Sequence, residues 1–386
     1  MNKYKINYLG VLMLGAGLAF GSCSKSFVDK SSSTNLSTSE ALSTPELLKT
    51  DLNGLYAQLR NVDLFGRDFP VLGDLEADNT FLEDRNTGRY NYQFAYSVPV
   101  TDNVTQAMWQ QSYSGILYAN QIIDAPVTGS DAAVTKAQAY ALRALLYFKL
   151  VNIFAQPYTF DSTGMGVPLV LHYDVTATPG RATVAQVYHQ IISDLRTSMV
   201  SAPEYTSSIF ISKYAVEGLL ARAYMYMGDY GDAAVAAVDV INNSPFTLVS
   251  AGAFRSFWAD AGVQTSATEV MFEVDADAIN NNGFDDLGGI YFNGYQDIYC
   301  SLDLAELYSA TDVRTQILYS GFTKGGQPAI LVGKFPNAQS TDRDNLKVIR
   351  LAEVYLIAAE SEARLGDNAD AQDYVNALAE TRDPVF

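Results

Sequence analysis

The chain has 386 residues, 48% of them hydrophobic, with 25 Lys+Arg against 43 Asp+Glu and a formal charge of -18. So much apolar material builds a packed core and excludes disorder as the main state, while the acidic balance repels phosphate backbones and argues against a nucleic-acid partner. Two His and two Cys are too few for a zinc cluster or a disulfide framework, though a site built on carboxylates alone stays open, and 25 Tyr is an unusual number.

Lys3 and Lys5 precede an uncharged apolar run from Leu9 to Phe20, the pattern of a signal peptide over residues 1–22 and too short for a membrane span of about 20 residues. Phe20-Gly21-Ser22-Cys23 then resembles the bacterial lipobox, cleaved before a lipid-modified cysteine, with Phe20 standing where Leu is usual. The other reading is a plain secretory signal with Cys23 a free thiol. With Cys23 acylated only Cys300 remains, so no intrachain disulfide forms. Loss of residues 1–22 takes two lysines and no acids from the total of -18, leaving -20 on the mature chain. Residues 23–44 are polar and Ser-rich, a flexible tether. Some 20 such residues span about 25 Å.

Thr44-Pro45 offers an N-cap and a first-position proline, so the folded part, read as a single domain over 45–386, begins there. Trp109, Tyr113, Ile116, Asn120 and Ile123 form one stripe of a helix between Thr105 and Asp124. Ala137 to Phe154 is apolar on nearly every face, which predicts a buried helix whose Arg143 needs an acidic partner. Thr183 to Met199 gives another helix, with Val187, Ile191, Asp194 and Leu195 on related faces. From Tyr214, residues Leu220, Ala221, Tyr224, Ala233, Ala237 and Pro245 fit a tetratricopeptide repeat, with Gly228-Asp229-Tyr230 at its turn. A weaker match runs from Ala352 through Ala359, Glu362, Gly366 and Ala371; an unrelated Ala-rich hairpin is the alternative there.

Two stretches, 79–103 and 246–345, read as loop-rich insertions on the helical scaffold, the second with a short strand at Val270–Val274. Binding residues concentrate in such loops. No nucleophile elbow, zincin, Walker or C-x-x-C pattern occurs, nothing calls for a cofactor or metal, and His172 and His189 read as surface or core residues rather than a metal pair. A carboxylate pair for glycoside hydrolysis is a three-dimensional quantity that spacing does not reveal. Tyr, Asn and Asp do suit sugars, whose C–H faces lie on aromatic rings while their hydroxyls take hydrogen bonds. Tyr113, Tyr147, Tyr224 and Tyr355 sit on helical stripes and belong to the core, which leaves the loop tyrosines, between binding and packing, as candidates.

The ordered motifs resemble the SusD/RagB family of outer-membrane nutrient-binding lipoproteins. They are the lipobox at Cys23; Trp109 to Asn120; Leu142-Arg143-Ala144-Leu145-Leu146-Tyr147-Phe148; Gly166-Val167-Pro168-Leu169; and Arg181-Ala182-Thr183-Val184 through Asp194-Leu195. Lys213-Tyr214-Ala215, Leu220 to Tyr224, Asp312-Val313-Arg314, Lys334-Phe335 and Ile349 to Glu360 follow in order. The resemblance implies a mainly α fold of tetratricopeptide-like units, an α-α superhelix with a loop-rich ligand-binding part and a few short strands. It implies a lipid-anchored protein of the cell surface, a lid on a SusC-like TonB-dependent transporter, holding an oligosaccharide or other nutrient polymer fragment without chemistry. By the same resemblance Asp78, Arg85, Tyr90 and Tyr92 are candidate ligand contacts, with Tyr291 and Tyr295 from the later loops. The readings set against it are a tetratricopeptide-type lipoprotein that binds protein or peptide, and a surface glycan hydrolase, for which no motif speaks.

Family members usually continue past the segment resembling Val375-Asn376-Ala377-Leu378, so apolar surface is expected near Ile357 to Val375. The lipobox generates a direct prediction. Cys23→Ala removes labelling by an alkyne fatty acid, read by gel fluorescence, and labelling that survives in the variant contradicts the assignment of the anchor.

Overall fold

In the computed structural model, which describes residues 42–386, the Thr44 side chain accepts a hydrogen bond from the Leu47 amide and Pro45 opens the first helix, as its sequence signals require. Cys23, the signal peptide and most of the tether lie outside the described residues. The helices of the first two thirds are α1 (Pro45–Leu59), α2 (Asp68–Glu76), α3 (Asn91–Phe94), α4 (Asn103–Asp124), α5 (Ser130–Phe154), α6 (Tyr158–Asp161), α7 (Val184–Met199), α8 (Lys213–Met227) and α9 (Tyr230–Asn243). Then come α10 (Phe254–Ala259), α11 (Leu287–Tyr291), α12 (Leu302–Glu306), α13 (Leu351–Leu365) and α14 (Asn368–Glu380).

Neighbouring long helices pack in sequence, α4 on α5, α5 on α7, α7 on α8, α8 on α9, α9 on α13 and α13 on α14, which makes the helical superhelix. α4 starts two residues before the expected Thr105 because the Asp102 carboxylate takes the Thr105 amide at 2.8 Å. α5 starts at Ser130, seven residues before the apolar run that signals it, because its first turns are Ala-rich with Asp131 at the start. α7 carries a full capping box between Thr183 and Gln186. The two hairpins α8–α9 and α13–α14 share one turn chemistry. Gly228 and Gly366 end their helices in the left-handed region, φ 76° and 95°, and Asp229 and Asp367 cap the helices that follow. Ala221, Ala233, Ala237, Ala359 and Ala371 are all buried where those helices approach. The weaker repeat is thus built like the stronger one.

Polar ties cross this apolar core. Arg143 on α5 forms a bidentate pair with Asp194 on α7, at 2.8 and 2.6 Å, and donates to the Asn120 side chain on α4 and to the Leu171 carbonyl. All three side chains are buried. Asn120 also donates to the carbonyls of Val170 and His172, and the hydroxyls of Tyr113 and Tyr147 donate to those of Pro168 and Val170. The segment 168–172 is thereby sewn to the helices. Arg222 on α8 repeats the device with Glu353 on α13, at 2.5 and 2.7 Å, and reaches the Val348 carbonyl.

The stretch 246–345, expected to be irregular, is more regular than that. Strands β1 (Thr80–Leu82), β2 (Met165–Pro168) and β3 (Arg181–Thr183) precede β4 (Val270–Val274), β5 (Ile298–Cys300), β6 (Leu318–Phe322), β7 (Pro328–Val332) and β8 (Leu346–Arg350). β1, β5, β7 and β6 form an antiparallel sheet in that order, and β4, the strand visible in the sequence, pairs with β8. Runs of three to five residues carry too little alternation to be told from loop. No described helix is long and apolar enough to cross a membrane. Leu356, Leu365 and Val375 lie exposed on the last hairpin.

Two outcomes follow. Removing one partner of a buried ion pair strands the other, so Arg143→Met lowers unfolding stability by about 3–5 kcal/mol; a denaturation midpoint unchanged from the parent contradicts the role of the pair. Glu217 on α8 faces Asp239 on α9, and burial first, then Asp239, raises its carboxyl from 4.5 to about 7. The folded state therefore holds this proton more tightly than the unfolded chain, so this group's contribution to stability is fully present below pH 4.5 and is lost as pH rises through about 7. Glu217→Gln raises the thermal midpoint at pH 8 and leaves it near the parent value at pH 4; equal midpoints at both contradict this.

Candidate functional site

The connection from α2 to α4 holds four of the six candidate residues and is anchored at both ends. β1 pairs with β5, Thr80 opposite Cys300 and Leu82 opposite Ile298. At the far end Gln93 donates to the Asp102 carboxylate at 2.8 Å, the same group that caps α4. Between these anchors the backbone bends sharply. Asp78, Tyr90 and Tyr96 have φ of 57°, 58° and 49°, three of the five non-glycine left-handed residues among those described. Such residues cost of order 1–3 kcal/mol each and cluster where a surface is held for function.

The bends divide the aromatic residues into two sets. Tyr90 turns inward and is 2% exposed, its hydroxyl donating to Asp68 at 2.5 Å, and burial drives its phenol far above the ordinary range. Tyr291 on α11 is equally buried and donates to the Asp74 carboxylate at 2.8 Å. Both are packing residues with their polar ends engaged, so neither offers a face to a ligand. Tyr92 and Tyr96 turn outward, 52% and 64% exposed, with Phe94 between them in sequence and Val98 and Val100 following, all exposed. The Tyr96 hydroxyl donates to the Glu76 carbonyl at 2.8 Å, which fixes the ring at the end of α2. Its phenol is raised by desolvation and then by the charges of Asp78 and Glu76, so exposed Asp78 sits beside the ring.

Next to this ridge lies a cleft of about 600 Å³ between the connection, α4 and the end of α5, lined among others by Glu76, Gln93, Val100, Gln106, Trp109 and Phe154. Trp109 packs edge-on against Phe154 at 4.9 Å, so its place is set by the α4–α5 contact. Read from spacing as one member of the α4 stripe, Trp109 is also a wall of this cleft, a role that helical periodicity does not reveal.

Arg85 is exposed in the turn after β1, its amide donating to Glu83. Tyr295, half-buried, leads toward β5 and lies under the Arg89 guanidinium, 4.0 Å from the ring centre. Arg89 is held by Asp285 at 3.1 Å and Asp297 at 3.4 Å, and Thr87 donates to Asp297 at 2.8 Å. This knot joins the first loop-rich stretch to the second. Asp78 and Tyr92 therefore belong to the outward aromatic surface, while Arg85 and Tyr295 belong to the turn that ties it down. His172 is exposed beside Asp124 at 3.2 Å, and His189 is exposed on α7.

A superhelix of helical hairpins thus carries a loop-built surface of exposed aromatic residues. The family described as "Starch-binding associating with outer membrane" matches residues 26–225, and the SusD family matches 330–382. The chain belongs to the SusD family. It is 26% identical to SusD-like protein P2 of Formosa agariphila, over 98% of this chain and 81% of that protein. Its fold is similar to a crystal structure of a SusD superfamily protein from Bacteroides thetaiotaomicron, with a TM-score of 0.81 and 26% identity over 88% of this chain and 81% of that one. A putative sugar binding protein from Bacteroides vulgatus gives the same TM-score, 0.81, and 26% identity over 88% of this chain and 78% of that one.

Proposed function

We propose that this protein is a carbohydrate-binding lipoprotein of nutrient uptake, anchored to the outer membrane through Cys23 and facing the cell exterior. It holds an oligosaccharide or other nutrient polymer fragment on the outward aromatic ridge and delivers it to a SusC-like TonB-dependent transporter, over which it closes as a lid, without catalysing any reaction. The observation that carries the reading is the exposed set Tyr92, Phe94 and Tyr96 beside Asp78, held in place by strained backbone and by the Tyr96–Glu76 hydrogen bond.

The chemistry matches a sugar. Aromatic faces meet the apolar C–H face of a pyranose ring, while the Asp78 carboxylate and the Gln106 amide at the cleft meet hydroxyls. Solvent-exposed rings lose little conformational freedom on binding, since their hydroxyls or backbone are already fixed. The net negative charge of the domain offers no attraction to a polyanion on this face, so neutral glycans suit the ridge.

Calorimetric titration against a panel of neutral oligosaccharides tests the proposal. Binding of at least one, without product release, is expected, with Tyr92→Ala plus Tyr96→Ala weakening it on the order of tenfold or more, about 1.4 kcal/mol. Undiminished binding in the double variant places the ligand elsewhere, and hydrolysis of the titrant overturns the non-catalytic reading.

A further inference from the structure

The cleft beside the aromatic ridge presents two kinds of surface that a plain hexose does not use together. Trp109, Ile153 and Phe154 bring apolar side chains from α4 and α5, and Val98 and Val100 add more from the connection, both of them exposed. Its free polar groups are the Glu76 carboxylate at the end of α2 and the amides of Gln106 and Gln110 on α4. The two glutamines stand one helical turn apart and so share a face of that helix. All three residues are exposed, and none of their side chains has a hydrogen bond or ion pair among the described residues. Gln93 and the Thr105 hydroxyl are already engaged, both with the Asp102 carboxylate. The lining holds no cation among the described residues.

Ridge and cleft form one surface. The Tyr96 hydroxyl is bonded to the Glu76 carbonyl while the Glu76 side chain belongs to the cleft, so a sugar ring lying on Tyr96 brings its substituents to the mouth of the cleft. Burial raises the Glu76 carboxyl, with no donor from the protein set against it.

This lining discriminates among the substituents that sugars carry. A hydroxyl leaves the apolar wall bare. Carboxylate and sulfate meet Glu76 and find no cation. A 6-deoxy methyl fills the wall and leaves the polar groups idle, and an O-acetyl ester offers only acceptors, which the glutamines can serve and Glu76 cannot. An acetamido group matches every part, with a methyl for the wall, an N–H for the carboxylate and a carbonyl for an amide donor.

We propose that this cleft is the subsite for an acetamido group, so that the glycans held best carry N-acetylated amino sugars. Glu76 accepts the acetamido N–H, Gln106 or Gln110 donates to its carbonyl, and Trp109 with its apolar neighbours covers the methyl. The inference rests on the reading of the ridge as a glycan site and adds the class of sugar selected there.

Chitotriose and cellotriose share a β-1,4 backbone and differ at C2, acetamido against hydroxyl, which makes them the matched probes. Calorimetric titration of the mature protein is expected to give chitotriose an affinity about tenfold or more above that of cellotriose. Glu76→Ala with Gln110→Ala removes two exposed, unpartnered side chains and brings the two affinities together, whereas Tyr92→Ala weakens both trisaccharides alike. The chain has two tryptophans, so in Trp258→Phe the emission of Trp109 alone reports the cleft, and chitotriose gives a saturable change. Equal affinity for the two trisaccharides, a preference that survives the double variant, or a deacetylated trimer that binds more tightly than chitotriose overturns the assignment. Failure here together with binding of another neutral oligosaccharide at the ridge leaves the function standing; silence toward the whole panel, chitotriose included, defeats both.

Discussion

The buried pair of Arg143 and Asp194 is the constraint on which the placement of the outward aromatic surface depends. Two charges removed from water are tolerable only where each is fully engaged, and here Arg143 meets a bidentate carboxylate, the Asn120 amide oxygen and the Leu171 carbonyl at once. These partners come from α4, α7 and the segment that follows β2, and Arg143 itself from α5. Their relative rotation is thus fixed by one guanidinium. Gly115 on α4 shows how closely those helices approach, since a Cβ there would lie 2.7 Å from the Leu146 side chain. With α4 and α5 locked, Trp109 and Phe154 meet at the edge of the scaffold and wall the cleft beside the aromatic ridge.

The rest of the polar interior follows the same rule, with arginine forks meeting acids across helix and strand boundaries. Arg222–Glu353 joins the two hairpins of like turn chemistry, and Glu269 gathers Arg350 and Arg382, joining β8 to the end of the chain described. The acidic excess is therefore not uniform. Part of it neutralises buried arginines, and much of the remainder faces solvent.

The helices were legible because their signals are local. The Thr44-Pro45 start, the Gly228-Asp229 turn and the buried character around Arg143 each lie within a few residues, and each is found in the structure. The need of Arg143 for an acid was readable, and Asp194 stood on the correct helix, but that the two meet depends on the packing of α5 against α7. The sheet was not legible, because β1 pairs with β5 across more than two hundred residues and all its strands are only three to five residues long. The same limit governs the tyrosines. Tyr90 and Tyr92 are two residues apart in similar sequence, yet the packing sends one ring to Asp68 and the other to solvent.

Hydrogen exchange of the mature protein, with and without a bound neutral oligosaccharide, tests most directly where the ligand is held. Protection is predicted over residues 77–106, the connection with its aromatic ridge and the first turn of α4, while the concave faces of the α8–α9 and α13–α14 hairpins exchange as in the free protein. Protection spread along those hairpins, with the connection unchanged, would contradict a loop-built glycan site and favour a repeat groove in its place.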